Sequence, residues 1–345
     1  VVGQVSVAEE SVVVLLPGGD RQVIALSEVA VDEDGALRIS YGMKTAWRKS
    51  DKLLLFLAML IYFPVVFPQA LRFRWLLRAQ DIDVSSWECL KLTFAGNFLN
   101  FATPLGSNAG DAFKAYFASL HTEHKTEAVT TVVLDRVIGL GTLLAVVALI
   151  VTIGPDGGRL AVLRPYMLGL LSAGVVCLAV YFSPLARRFR LPASWQERVP
   201  ALSHLKRMDG AARKLAGHRA VLVGAILITV LLQMMALAAY FVVAVAMAMD
   251  AHAGNIVEFF AYFYTGTVVQ ALPGPPQGLG TVELAYRYFF ASFGSASQIV
   301  CMALAIRVVV LICALPGLLV TLTGSYRPSR KVASSPAAGG SVAEA

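Results

Sequence analysis

Charged residues are scarce in this sequence, in which Asp, Glu, Lys and Arg together account for 15% of the 345 residues. Hydrophobic residues account for 57%, and the mean hydropathy is +0.68. Soluble domains carry about 25% charged residues, so a deficit of this size excludes an ordinary soluble domain. The composition therefore predicts a polytopic membrane protein.

The sequence also lacks the short motifs of common catalytic and metal sites. It contains no HExxH motif, no GxSxG motif and no Cys/His metal-binding motif. The glycines at 278 and 280 lack the flanking strand of a nucleotide-binding fingerprint. The cysteines stand singly in apolar surroundings and are expected to be small buried hydrophobic residues; they are Cys89, Cys177, Cys301 and Cys313. These absences predict no metal and no other cofactor.

Basic residues outnumber acidic ones, 29 against 22, for a formal net charge of +7. They gather beside apolar runs, above all in residues 184–219 and after residue 325, where they would set topology and contact anionic headgroups. This distribution excludes nucleic acid as a partner. It predicts that the basic loop 184–219 and the C-terminal tail face the cytoplasm.

One apolar stretch, LPGPPQGLGTVE at residues 272–283, holds too many prolines and glycines for a continuous membrane helix. We expect two half-helices joined by irregular backbone, with the break at Pro273, Gly274, Gly278 and Gly280. Irregular backbone is tolerated at membrane depth only where protein buries it or water bathes it, so the break points to a binding site or pathway. A loop outside the membrane between two spans is the alternative.

A second broken segment, at residues 87–120, has the same layout as the first, which covers residues 256–291. Each has an apolar half, a proline and glycine break, and then a charged residue that opens an apolar and aromatic half. The break in the second segment holds Pro104, Gly106 and Gly110. Paired interrupted segments in the two halves of a membrane protein point to a site near the midplane.

Five further segments are apolar and long enough to span a bilayer: residues 52–71, 128–153, 163–182, 220–249 and 297–323. With the basic loop inside, residues 255–292 must cross the membrane an even number of times, either as a re-entrant hairpin or as two short full crossings. If both broken segments are re-entrant, the two hairpins enter from opposite faces. Arg72, Arg74 and Arg78 are expected to form a basic interfacial anchor. The predicted fold class is an all-α polytopic membrane protein with two opposed re-entrant helical hairpins in an inverted-repeat-like arrangement, preceded by a small β module.

The two ends of the chain are predicted to lie outside the membrane. Residues 1–43 alternate apolar and polar types between Gly, Pro and Asp turns, which predicts a small β-rich module. Residues 44–325 form the membrane domain in this interpretation, and the Ala-, Ser-, Pro- and Gly-rich residues 326–345 form a disordered tail. The sequence opens at Val1 without a signal peptide, as expected if a native beginning has been removed or the chain starts internally.

Polar residues at membrane depth are the candidate substrate-binding residues: Asn97, Asn100, Asp111, Lys114, Asp135, Arg136, Gln270, Glu283, Arg287 and Arg307. Their spacing predicts three acid–base couples, which are Asp111 with Lys114, Asp135 with Arg136, and Glu283 with Arg287. Two interpretations stay open. The couples are either structural ion pairs that hold the hairpins to helices, or a site for a charged, zwitterionic or phosphorylated lipid head.

Three motifs, GNFLNFATPLGSNAGDAFKAYF, TVVLDRVIGL and LPGPPQGLGTVELAY, together resemble the lysylphosphatidylglycerol synthase transmembrane-region family. The resemblance covers about residues 53–324. In that family the first motif reads Gly-Gly-Asp followed by Arg, whereas this chain has Ala109-Gly110-Asp111 and Lys114. The resemblance implies a flippase-like, lipid-translocating fold in a bacterial inner membrane. The full synthases add a soluble acyltransferase domain, which the short tail here does not supply, so synthesis of an aminoacyl lipid is not expected.

The leading hypothesis is a lipid flippase that moves a phospholipid or an isoprenoid-linked lipid between leaflets through a polar midplane cavity. The residues expected to contact the head are Asp111, Lys114, Arg136, Glu283 and Arg287, with Asp135 positioning Arg136. The alternatives are a membrane-embedded enzyme that modifies a lipid head and a scaffold for a membrane glycosyltransferase. The expected partners are the lipid and the bilayer, and a homo-oligomer or a membrane enzyme partner is left open.

Overall fold

The computed structural model describes residues 5–8, 11–15, 21–25, 42–103, 107–154, 156–183, 200–271 and 275–324. Three short strands precede the helices: β1 (Val5–Ala8), β2 (Ser11–Leu15) and β3 (Arg21–Ala25). They pair antiparallel in the order β1-β2-β3, with Val5 opposite Val14 and Ser11 opposite Ala25.

Thirteen α-helices follow in the described part of the chain. They are α1 (Met43–Lys49), α2 (Lys52–Tyr62), α3 (Val66–Arg78), α4 (Ser86–Ala102), α5 (Ser107–Ser119), α6 (Lys125–Ile153), α7 (Gly158–Phe182), α8 (Pro200–Gly217), α9 (Arg219–Ala246), α10 (Ile256–Ala271), α11 (Thr281–Phe289), α12 (Ala296–Ala314) and α13 (Pro316–Thr323). Short 3₁₀ turns lie at Phe63–Val65, Ala253–Asn255 and Pro276–Gly278.

The predicted β module is the part of the fold class that was wrong. The protein is a polytopic helical protein, and a separate β module before the helices is not supported. Strands of 4, 5 and 5 residues cannot enclose a core of their own. Residues 26–41 of the predicted module lie outside the described residues, and α1 begins at Met43.

Within the described ranges, five helical segments are long and apolar enough to cross a membrane: Lys52–Arg78, Lys125–Ile153, Gly158–Phe182, Arg219–Ala246 and Ala296–Ala314. The first runs from α2 through a 3₁₀ turn into α3, and it reaches further than residue 71. Pro64 lies in that turn and Pro68 in the first turn of α3, where a missing N–H removes no hydrogen bond from the helix interior. Arg72 and Arg74 therefore lie inside a helix rather than after it.

One end of the helical bundle is marked by contacts between α3, α4 and α8. The Gln80 side chain donates to the carbonyl oxygen of Ala211 at 2.8 Å, and Arg74 donates to the Ser86 hydroxyl at 2.5 Å. Lys214 pairs with Asp81, and its hydrogen bond and charge lower the pKa of that carboxyl. These contacts place the end of α3, the start of α4 and the last turns of α8, which lead into α9, together at this first end.

The opposite end joins other element termini. The Asp51 amide donates to the Ala246 carbonyl oxygen at 2.9 Å, which places the start of α2 beside the end of α9. The Asp250 amide donates to the Phe293 carbonyl oxygen at 2.8 Å, and the Arg159 guanidinium reaches the Phe289 carbonyl oxygen at 3.4 Å. The start of α7, the end of α11 and the start of α12 therefore lie at this second end.

Two helix–break–helix hairpins approach each other from these two ends. Hairpin 1, α4 and α5, starts and finishes at the first end, where His121 lies 3.8 Å from Glu88. Hairpin 2, α10 and α11, starts and finishes at the second end, and its arms pack through the rings of Phe259, Phe263 and Phe290. The hairpin tips meet inside the bundle, because the Gln277 amide donates to the Asn100 carbonyl oxygen at 2.7 Å.

The arms of hairpin 1 approach each other through two glycines. A Cβ atom added to Gly110 would lie 2.2 Å from the carbonyl oxygen of Gly96, closer than real Cβ atoms come to any neighbour. The packing therefore requires glycine at Gly110. The Asn100 side chain accepts a hydrogen bond from the Gly110 amide at 2.8 Å, which ties the two arms together beside the break.

Candidate functional site

A polar cavity lies where the two hairpin tips meet, and it has two parts. The first part, the charged compartment, has a volume of about 240 Å³. Its lining comes from α3, hairpin 1, α6 and α10: Gln69, Arg72, Asn97, Asn100, Asp111, Lys114, Asp135, Arg136, Gly139, Leu140, Leu143, Thr267, Gln270 and Ala271.

The second part, the amide compartment, has a volume of about 320 Å³. It shares Gln69, Asn97, Asn100, Thr267 and Gln270 with the charged compartment, so the two parts adjoin across a wall of uncharged polar side chains. Its other polar lining residues are Tyr62, Gln233, Tyr240, Gln277, Tyr286 and Arg307.

Arg72 and Asp135 form an ion pair at the wall of the charged compartment. Arg72 Nε lies 2.8 Å from Asp135 Oδ1, and the two side chains are only 7% and 11% exposed. Arg72 Nη1 also donates to the Thr229 hydroxyl at 2.7 Å. One guanidinium thus connects α3, α6 and α9, and breaking such a buried pair costs about 3–5 kcal/mol.

Arg136 and Asp111 form a second ion pair, which connects α6 to hairpin 1. Arg136 Nη1 donates to Asp111 Oδ2 at 2.7 Å, and about a third of each side chain is exposed. The pair is more accessible than the first, so it is the part of the charged lining that a ligand can most readily contact.

Lys114 lies in the same compartment, and its residue is only 4% exposed. Its ammonium stands 5.8 Å from the centre of the Phe73 ring. Among the residues that the structure describes, no carboxylate lies within the 4.0 Å of an ion pair. A buried ammonium without a carboxylate partner is costly, and such groups in membrane segments usually serve binding or transport.

Arg307 holds the break of hairpin 2 in place. Its Nε lies 2.8 Å from Glu283 Oε1, while Nη1 and Nη2 donate to the carbonyl oxygens of Gln277 and Gly278 at 2.8 and 3.3 Å. Glu283 Oε2 accepts from the Gly280 amide at 2.8 Å, which satisfies an otherwise open N–H at the start of α11. The irregular backbone is thus fastened to α12.

The backbone at this break is strained at one position. Gln277 is not a glycine, yet its φ is +55°, in the left-handed region. Its side chain donates to the Asn100 carbonyl oxygen and accepts from Gln270, so contacts on both sides hold the conformation. Strain of this kind, about 1–3 kcal/mol, clusters at ligand-binding and switching sites.

The three predicted acid–base couples are not the pairs that form. Asp135 pairs with Arg72, Asp111 with Arg136, and Glu283 with Arg307. Sequence spacing identifies neighbours on one helix surface, whereas these pairs join different helices, so tertiary packing decides them. Arg287 is exposed on α11 and lines neither compartment, so the structure does not bring it together with Asp111 and Lys114.

The other predicted residues divide into three groups. Asn97, Asn100 and Gln270 line both compartments, Arg307 lines the amide compartment, and Glu283 stands behind Arg307. Gly110, Gly278 and Gly280 flank the breaks, the last two with φ of +63° and +84°. The remaining break residues lie outside the described part of the chain: Pro104, Gly106, Pro273 and Gly274.

Several polar residues of the cavity are not among the candidates predicted from the sequence, including Arg72, Gln69 and Gln277. The sequence predicts Arg72 to be part of an interfacial anchor, because the span is expected to end at residue 71. The sequence from Arg72 to Arg78 contains no helix-terminating residue, which indicates that the helix continues past residue 71. In the structure α3 runs to Arg78, and Arg72, Phe73, Leu76 and Leu77 are buried.

Glu283 is expected to contribute to stability through both of its oxygen atoms. Glu283→Gln should lower the free energy of unfolding by about 1–2 kcal/mol, because the charge on Arg307 loses its partner and the cap of α11 weakens. Thermal unfolding in detergent, followed by tryptophan fluorescence, measures the change. Arg287→Gln is the matched control on the same helix and should change stability by less than about 0.5 kcal/mol; equal effects of the two variants would contradict this role.

Helices able to span a membrane, with polar side chains gathered around two internal breaks, define a multi-pass membrane protein. The family model of the lysylphosphatidylglycerol synthase TM region matches residues 42–317, so the chain belongs to that family, and the resemblance seen in the motifs is confirmed. The family corresponds to the membrane region of the synthase, without its catalytic soluble domain, and fits a membrane protein concerned with lipids. No curated protein matches the chain.

Proposed function

We propose that the protein is a lipid flippase, which binds the head of a phospholipid or isoprenoid-linked lipid in the two compartments and moves it between leaflets without chemical change. In this proposal residues 44–325 form the membrane domain of a bacterial inner-membrane protein. The basic loop 184–219 and the C-terminal tail face the cytoplasm, and the two hairpins are re-entrant from opposite faces.

The proposal rests on the burial of the Lys114 side chain beside the cavity. Its ammonium is buried beside a polar cavity, and among the described residues no carboxylate lies within 4.0 Å of it, although Asp111 and Asp135 line the same compartment. The free energy that burial of this charge costs would be recovered when an anionic head enters, because charge-assisted hydrogen bonds to phosphate are strong. A residue that served only to hold helices together would be paired, as Arg72 and Arg307 are.

An apolar groove beside the amide compartment supplies a place for the tail of the lipid. It has a volume of about 560 Å³ and lies between α4 and α13. Phe63 lines both the groove and the amide compartment, so a head in the cavity and a hydrocarbon chain in the groove would belong to one molecule. The groove lining is largely apolar and aromatic: Phe63, Phe67, Trp87, Leu90, Phe94 and Leu319.

A leaflet-exposure assay tests the proposal. The protein is reconstituted into vesicles that carry a tail-labelled fluorescent phospholipid, and a membrane-impermeant quencher reports how fast the label reaches the outer leaflet. We expect Lys114→Met to slow the exchange about tenfold or more, since one charge-assisted contact contributes about 1.5–3 kcal/mol. Arg287→Met removes a cation of hairpin 2 that does not line the cavity, and it should exchange lipid at the wild-type rate.

Two outcomes would contradict the proposal. Exchange no faster than in protein-free vesicles would remove the flippase function, and identical rates for wild type and Lys114→Met would remove the cavity as the route. A labelled lipid recovered in altered chemical form would favour a membrane-embedded enzyme instead, and a glycosyltransferase that co-purifies without bound lipid would favour a scaffold.

A further inference from the structure

A buried histidine lies at the first end of the bundle, where hairpin 1 starts and finishes. His121 follows the last turn of α5, and its side chain is only 8% exposed. Its Nδ1 atom lies 2.8 Å from the carbonyl oxygen of Phe117. A carbonyl oxygen only accepts hydrogen bonds, so Nδ1 carries a hydrogen and donates it. In the neutral imidazole the other nitrogen, Nε2, therefore has a lone pair and no hydrogen.

The Nε2 atom of His121 faces a carboxylate without bonding to it. It is buried and has no hydrogen-bond partner among the residues that the structure describes. Glu88 Oε1, in the first turn of α4, lies 3.8 Å away, which is too far for a hydrogen bond. The other oxygen, Oε2, already accepts from the amide and the hydroxyl of Ser85 at 3.3 and 3.1 Å. This leaves Oε1 as the oxygen that faces the imidazole.

Other ionisable groups come to this end from every neighbouring element. They are Arg74, Arg78, Asp81, Asp83, Cys89, Lys91, Glu123, His124, Lys125, Glu127, Lys214 and His218. Asp81 and Asp83 already hold cations of α8 and α3. Glu127 is the other buried acid, because its Oε2 has no hydrogen-bond partner in the described ranges. Among the described residues, Glu88 is the acid within ion-pair distance of His121.

A proton added to Nε2 would turn this contact into an ion pair between the two arms of hairpin 1. The imidazolium carries hydrogens on both nitrogens, so Nδ1 keeps its bond to Phe117 while Nε2 gains a hydrogen toward Glu88. Histidine changes charge between about pH 5 and 8, so mild acidification suffices. Glu88 is 31% exposed, which gives the proton access from solution.

We propose that His121 is a proton-binding site, and that a bound proton fastens the end of α5 to the start of α4 through Glu88. The fastening is present at low pH and is lost as the pH rises and the imidazole gives up its proton. It goes beyond the proposed function, because it would hold equally in a protein that moves no lipid.

Helix α5 connects this fastening to the polar cavity. Asp111 and Lys114 line the charged compartment near the other end of the same helix. When the end of α5 is joined to the start of α4, these two side chains are held more closely in place beside Asn97 and Asn100 of α4. Acidification of the solution at the first end would therefore stiffen hairpin 1 and the cavity wall that it forms.

Nuclear magnetic resonance of the imidazole nitrogens tests the protonation chemistry in the full-length protein in detergent micelles. The chain has five histidines, and the signal that His121→Gln removes identifies the one in question. We expect a hydrogen on Nδ1 alone at about pH 8, and hydrogens on both nitrogens at about pH 5.5. A hydrogen on Nε2 alone at the higher pH, or a neutral ring at the lower pH, would overturn the proposal.

Amide hydrogen exchange measures the fastening itself. At about pH 5.5, peptides from the end of α5 and the start of α4 should exchange about fivefold more slowly in the wild type than in His121→Gln. At about pH 8 the two proteins should exchange alike, because the imidazole is then neutral. Each comparison is made at a single pH, so the effect of pH on intrinsic amide exchange cancels.

Three further variants identify the partner. Glu88→Gln should exchange like His121→Gln, and the double variant should show no additional loss, since both changes remove the same ion pair. His124→Gln removes an exposed histidine three residues further on and should retain the wild-type response. Glu127→Gln should retain it as well. Equal exchange of wild type and His121→Gln at both pH values would overturn the fastening, and a response lost in Glu127→Gln but kept in Glu88→Gln would overturn the pairing with Glu88.

Discussion

Asp135→Leu is expected to lower the free energy of unfolding by about 3–5 kcal/mol, because it leaves the Arg72 guanidinium buried without its carboxylate. Arg72 is in contact with three helices, so the unpaired charge would disturb α3, α6 and α9 together. Unfolding in mixed detergent micelles, followed by tryptophan fluorescence, measures the loss.

The double variant Arg72→Met/Asp135→Leu distinguishes an unpaired charge from lost packing. Removing both members replaces the ion pair by apolar side chains of similar volume, and such exchanges are often neutral or stabilising. We expect the double variant to recover most of the stability that Asp135→Leu loses, which gives a large coupling energy in a double-mutant cycle. Additive losses would show that the pair does not act as a unit.

Gly110→Ala is expected to destabilise the protein by about 3 kcal/mol, since the added methyl group meets the backbone of the neighbouring arm and neither side can yield easily. The arms of hairpin 1 would have to separate, which also displaces Asp111 and Lys114 in the next turn of α5. Both the melting temperature and the leaflet-exchange rate should fall.

Two other glycines provide the controls for this prediction. Gly141→Ala, on α6, meets nothing within 4 Å and should be neutral or stabilise the helix by up to about 1 kcal/mol. Gly96→Ala faces Gly110 from the other arm, but its nearest neighbour, at 3.0 Å, is the flexible Cε of Lys114. It should cost less stability than Gly110→Ala and still slow lipid exchange. Equal stability of the Gly110→Ala and Gly141→Ala variants would contradict the close packing of the arms.

The membrane class and the two hairpins could be predicted from the sequence because their signals are local. A break in an apolar segment can be identified from the prolines and glycines of that segment alone, as at Gly278 and Gly280. The ion-pair partners could not be predicted, since a long charged side chain can pair with a residue on any helix that packs beside its own. Arg72 shows this most clearly: its partners Asp135 and Thr229 lie on two other helices, far along the chain.

The predicted β module shows what a local sequence pattern cannot predict. Alternation of apolar and polar residues identified short strands, but alternation does not say whether they enclose a core. The three strands have only 4, 5 and 5 residues, and the structure does not support a separate β module, so the pattern overstated what it implied for the fold.

The contacts within each hairpin outnumber the hydrogen bonds between the two hairpin tips, and this difference affects how the hairpins can move. Arg307 holds the break of hairpin 2 with a salt bridge and two hydrogen bonds. In hairpin 1, the Asn100 side chain joins the two arms through its hydrogen bond with the Gly110 amide. Between the two tips, the described residues form one hydrogen bond, from Gln277 to Asn100. One such bond contributes about 1 kcal/mol. Among the described residues, separating the tips therefore breaks fewer hydrogen bonds than deforming the break of hairpin 2, so we expect each hairpin to move as a stiff arm.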